Sequence, residues 1–111
     1  MNETRKQKLT VYAETINREC LWEYNFTNSE IIQLAQQGND QEKMFLFTKI
    51  MENATDVLKS LNIFSLRDQR EMLLNYNVPK FKHNFLERRH KILKYFITNQ
   101  SVDIPELRWN K

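Results

Sequence analysis

The sequence predicts an all-α protein: a compact bundle of five or six mostly short helices over residues 1–100, followed by an extended C-terminal tail over 101–111. Three observations carry that prediction. Only one glycine and two prolines occur in 111 residues, which leaves little material for hairpin turns and disfavours a strand-rich fold. Apolar residues recur at the i, i+3, i+4, i+7 spacing of a buried helical face. Several of those runs are preceded by a side chain able to accept a hydrogen bond from an orphaned backbone N–H of a first helical turn.

In the first segment Leu9, Tyr12, Ala13, Ile16 and Cys20 fall at i, i+3, i+4, i+7 and i+11, which predicts a helix from about Thr4 to Glu19. A strand through Leu9–Tyr12 accommodates fewer of them. The second helix opens with Thr27 and Glu30 as a capping box, Phe26 and Ile31 as a hydrophobic staple, and Ile31, Leu34 and Ala35 on its buried face. Gly38 then reads as its left-handed terminator. Asn39 with Glu42 repeats the box and opens a third helix, with Met44, Leu46, Phe47, Ile50 and Met51 on a wide apolar face and an end near Asn53. A fourth, from about Thr55 to Leu61, carries Val57, Leu58 and Leu61. The fifth is capped by Ser65, buries Leu66, Leu73 and Tyr76, and is stopped by Pro79. The sixth is predicted from about Lys80 to Thr98, with Phe81, Phe85, Leu86, Ile92, Leu93 and Phe96 as its apolar stripe. The tail holds Pro105 and has no helical period.

A chain of this length holds one core. With 41% hydrophobic, 28% charged and 12% aromatic residues it is expected to fold rather than remain disordered. A single cysteine and a charged N-terminus without an apolar signal run point to the reducing cytoplasm, and no apolar run is long enough to span a membrane. The net charge of +3 permits an anionic partner without requiring one.

No catalytic or cofactor signature emerges, so neither enzymatic activity nor a cofactor is expected. His83, Glu87 and His90 share a helical face, but the end pair lies about two turns apart, too far to converge on one metal ion. Cys20 sits on an apolar face and reads as core rather than as a reactive thiolate. A single glycine leaves no phosphate-cradling loop. Arg89 falls inside the apolar stripe of the sixth helix, where it must snorkel, pair, or mark an opening towards a partner. Around it Lys80, Lys82, Arg88, Lys91 and Lys94 face only Glu87. Such a basic patch suits phosphate oxygens, or is a solvated face whose charge is balanced elsewhere.

The stretch "CLWEYNFTNSE", Cys20 to Glu30, places Trp22, Tyr24 and Phe26 at alternate positions, one side of an extended passage. Trp22 and Tyr24 then either cover the core where the first and second helices meet or anchor a partner. The opening "LWEYN", the short Ile-containing helix ending at Gly38, and the segments "EKMFLF", "EMLLN" and "FLERRHKILKYF" together resemble a group of small uncharacterised bacterial proteins over about Leu21 to Ile97. Members of that group are often encoded beside nucleotidyltransferase-like toxins of the abortive-infection type. The resemblance implies an antitoxin or accessory role, and it transfers no catalytic residue.

The expectation is a non-enzymatic protein that binds and restrains a protein partner. Its candidate surfaces are Trp22 and Tyr24, the basic face with Arg88, Arg89 and Lys91, and the tail, where Ile104, Leu107 and Trp109 form a peptide-like element. The alternative is nucleic-acid binding through Lys80, Lys82, Arg88, Arg89, Lys91 and Lys94.

Overall fold

The computed structural model describes residues 3–98; the tail, with Leu107 and Trp109, lies outside the described residues. Six α-helices follow one another: α1 (Glu3–Cys20), α2 (Asn28–Gln37), α3 (Asp40–Asn53), α4 (Val57–Ser60), α5 (Leu66–Asn75) and α6 (His83–Leu93). A 3₁₀ turn, Leu61–Ile63, extends α4, and a π-helical turn, Lys94–Thr98, extends α6. No strand occurs among the described residues, and the fold is all-α.

The core is assembled from one stripe of each longer helix. Leu9, Ala13, Ile16 and Cys20 of α1 meet Ile31 and Ala35 of α2, Leu46, Phe47, Ile50 and Met51 of α3, and Met72 and Leu73 of α5. The Leu61–Ile63 turn and Phe64 fill the space beneath them. Each fully buried Leu, Ile or Phe contributes about 1.5–3 kcal/mol relative to exposure. Both capping boxes form: Glu30 N–H donates to Thr27 Oγ1 at 3.1 Å while Thr27 N–H donates to Glu30 Oε1 at 2.8 Å, and Asn39 with Glu42 does the same at 2.8 and 2.9 Å. Between elements, Lys43 of α3 pairs with Asp68 of α5 at 2.8 Å, and Asn17 Nδ2 of α1 donates to the Phe26 carbonyl.

Four local expectations are corrected. Gly38 is not left-handed: at φ −68°, ψ 160° it is extended, because the chain passes straight from α2 into the Asn39 cap of α3. The glycine is required for another reason, since a Cβ there would clash with the Leu34 carbonyl oxygen. The fourth helix is capped by Asp56, whose Oδ1 accepts from Lys59 N–H, and it holds a single α turn. Thr55 N–H instead donates to Glu19 Oε1, and Leu58 points outward. In α5, Leu66 is exposed at the first position, and the buried set is Gln69, Met72 and Leu73 with Tyr76 just beyond. Gln69 is tolerated there because its Nε2 donates to the Phe64 carbonyl.

The fourth correction concerns α6, which starts at His83 rather than Lys80. Lys82 caps it in the left-handed region, φ 51° and ψ 32°, without a side-chain hydrogen bond. That conformation costs a residue bearing a Cβ about 1–2 kcal/mol, and a cation beside a helix N-terminus opposes the macrodipole. Lys82→Gly is therefore expected to raise stability by about 1 kcal/mol, read as a higher Tm. A lower Tm would mean that the lysine stem holds this turn.

Candidate functional site

The α1–α2 connection shows why an alternating pattern was misleading. Leu21 is fully buried and its N–H donates to the Ile16 carbonyl at 3.2 Å, while Tyr24 N–H donates back to the Leu21 carbonyl at 2.9 Å. The passage is thus a turn, and Leu21 takes the core position expected for Trp22. Trp22 is left 70% exposed. Tyr24 behaves differently. Its ring stacks on Phe26 at 5.7 Å and meets Phe45 of α3 edge-on at 5.6 Å, with Lys49 Nζ 5.6 Å from its centroid. Tyr24 is a clasp between the loop and α3, and Trp22 is left open to solvent.

Phe45 and Lys49 went unnoticed in sequence. The available signal was an aromatic residue off the Met44–Phe47–Ile50–Met51 face, with a cation four positions on, where a cation–π contact to the same ring is within reach. Asp40, Gln41, Met44, Phe45, Thr48 and Lys49 line an open recess of about 500 Å³ on that side of α3.

The second locus is α6, whose predicted single stripe is two. Leu86, His90, Leu93 and Ile97, at i, i+4, i+7 and i+11, face inward: the three aliphatic residues are buried and His90 is half-buried. Phe85, Arg89, Ile92 and Phe96 repeat that spacing one residue earlier, about 100° round the helix. Phe85 is 46% and Phe96 52% exposed, and Phe81 in the preceding turn is 55% exposed. Phe81, Phe85 and Phe96 therefore do not belong to the core. The core has room for one stripe, and the other remains open.

Arg89 sits on the boundary between the two. Its Nη1 donates to the Met51 carbonyl at 3.1 Å, a carbonyl of the last turn of α3, and its guanidinium lies 4.5 Å from the Phe85 ring centroid. Burial pulls its pKa below the usual arginine value. Arg89 thus links α6 to the negative end of α3 and is partly committed to structure. Lys80, Lys82, Arg88 and Lys91 are exposed and Lys94 is half-buried. Glu87 hydrogen-bonds His83 Nε2 at 2.8 Å and pairs with Lys91 at 3.4 Å, and those two contacts hold its carboxyl below the usual range.

Cys20 is buried and His90 is held by α5. Burial pushes the Cys20 thiol up to about 12, with Glu19 adding and Arg89 opposing. No group of three or more metal-ligating side chains occurs among the described residues, and His83 and His90 face different partners. His90 Nε2 donates to the Leu73 carbonyl of α5 at 2.7 Å, and its ring meets Tyr76 edge-on at 5.1 Å.

Burial lowers the His90 pKa below the ordinary 6.5; the Leu73 hydrogen bond opposes this and Lys94 adds to it. The unfolded chain therefore binds that proton first. The stability associated with neutral His90 is whole above about pH 6.5 and is lost as the pH falls through the depressed folded value. His90→Gln, which retains a donor for Leu73, is expected to lose less stability than the wild type between pH 7.5 and 5.5 in urea titrations. Equal losses would remove His90 as the cause.

Among the described residues no helix is long and apolar enough to cross a membrane. No family model, no curated protein and no solved structure matches this chain.

Proposed function

We propose that this chain is a non-enzymatic cytoplasmic protein that binds and restrains a protein partner. The partner to try first is a nucleotidyltransferase-like toxin of a toxin–antitoxin or phage-defence pair. The observation that carries the reading is the outward placement of Trp22, Phe81, Phe85 and Phe96, large apolar side chains that the core leaves open. Aromatic side chains of this kind supply the energetic centres of protein interfaces. Engagement of Cys20, His83, Glu87 and His90 in structural contacts supports a binding role over catalysis. The choice of a toxin rests on the sequence resemblance alone.

A second reading, nucleic-acid binding, is favoured by six cations against one anion over residues 80–98. One experiment separates the two. The tagged chain is captured from its host, and in parallel with its genomic neighbour co-expressed, at moderate and at high salt with nuclease present. A stoichiometric protein surviving both treatments is the expected result. Recovery only of nuclease-sensitive and salt-sensitive material would replace protein binding with nucleic-acid binding.

A further inference from the structure

We infer that α6 is a detachable strap: residues 83–98 lift from α3 and α5 as one unit, pivoting in the mostly exposed link 77–82, while α1–α5 stay folded. This goes beyond the partner-binding reading and does not depend on it. The core is closed without the strap. Of the buried residues that pack together as the core, residues 83–98 supply Leu93 and Ile97, and all the others lie from Leu9 to Tyr76. Leu86 is the further aliphatic side chain that α6 buries.

The rest of the attachment is a polar latch of side chains on backbone carbonyls. Arg89 Nη1 donates to the Met51 carbonyl at 3.1 Å and His90 Nε2 to the Leu73 carbonyl at 2.7 Å, while Arg70 of α5 reaches back to the Ile97 carbonyl at 3.4 Å. Met51 and Leu73 stand in the last turns of α3 and α5, where carbonyls have no partner within their own helix. Adjacent residues of α6 thus cap two other helices. Water takes over each of these contacts when α6 leaves, so the latch contributes only the small difference between a protein and a water hydrogen bond.

Two features of the docked state are released by lifting. Tyr76 is 8% exposed and meets the His90 ring edge-on at 5.1 Å, and its hydroxyl has no hydrogen-bond partner among the described residues. A buried hydroxyl in that condition is disfavoured until water reaches it. Lys82, at the pivot, is held at φ 51°, a conformation that a residue with a Cβ keeps only while the surrounding structure imposes it. Strain at the pivot and an orphaned hydroxyl under the strap both favour opening. A helix of 11 residues is marginal in water by itself, so a lifted α6 unwinds and its amides meet solvent.

The test is native-state hydrogen exchange of the full chain at about pH 7.5, read by mass spectrometry over peptides of each helix. After correction for intrinsic rates, the amides of residues 86–94 are expected to exchange together and at least about tenfold faster than those of α1 and α3. Ile31→Val, in the α2 part of the core, is expected to speed exchange in α1 and α3 about two- to tenfold and to leave residues 86–94 unchanged, because the strap opens with Ile31 still packed. Tyr76→Phe and Lys82→Gly, which relieve the hydroxyl and the pivot, are each expected to slow exchange of residues 86–94 about fivefold. Equal rates in α6 and α1, or the same acceleration of both by Ile31→Val, would overturn the inference, since α6 would then open only with the whole fold. So would exchange confined to the ends of α6, or unslowed exchange in both relieving variants.

Discussion

Gly38→Ala is expected to destabilise the protein by about 2–3 kcal/mol, a fall in Tm on the order of 10 °C for a domain of this size. Backbone considerations alone give the opposite sign. At φ −68° an alanine is conformationally acceptable, and the loss of unfolded-state freedom would stabilise by about 0.4–1 kcal/mol. The contact decides. The added Cβ would clash with the Leu34 carbonyl oxygen and lie 3.1 Å from Glu42 Cβ. The first of these is backbone, held by the Gly38 N–H that donates to the same oxygen at 3.1 Å. Relief requires opening the α2–α3 joint, which also strains the Asn39–Glu42 box. Thermal unfolding of the single variant decides the question, and a raised Tm would show that the joint yields without cost.

Arg89→Met is expected to lose about 2 kcal/mol, the worth of a hydrogen bond to a charged donor together with a carbonyl left without that partner. Methionine keeps much of the apolar stem and isolates the guanidinium. Two terms act together: the 3.1 Å hydrogen bond to Met51, a residue that is itself fully buried, and the attraction of a cation to the C-terminal end of α3. Arg89→Lys retains the charge but not the planar stack over Phe85, and should recover part of the loss. Urea unfolding of the three proteins checks this. A methionine variant as stable as the wild type would mean that Arg89 is not a structural link between α6 and α3.

The parts of the fold legible in the sequence are those decided within a few residues. Both capping boxes and the Ser65 cap follow from residues three positions apart, and the structure places them as the sequence implies. The left-handed assignment of Gly38 failed because glycine serves two purposes, positive φ and close backbone approach, and only the second applies here. Which of Leu21 and Trp22 enters the core was not legible either. It depends on the turn closed by Tyr24 N–H on the Leu21 carbonyl, which pairing with α3 stabilises from 21 residues away through Phe45.

For the candidate site, the basic and aromatic composition of α6 was readable and its partition was not. Two adjacent stripes of equal spacing are equivalent until α3 and α5 choose one. His90, with its hydrogen bond to Leu73, marks the chosen side, and Arg89, reaching Met51, marks the border. Trp22 remains a candidate anchor for a reason opposite to the expected packing role. Tyr24 moves the other way, from candidate anchor to clasp.

The measurement closest to the central claim is a calorimetric titration of the purified chain with the captured partner at 50 and 200 mM salt and at several temperatures. Burial of the open α6 stripe against a protein requires a negative heat-capacity change and an affinity that changes by no more than about tenfold between the two salt concentrations. A fall of about 10³–10⁵ in affinity over the same interval, the response of a surface held by many phosphate contacts, would contradict the account.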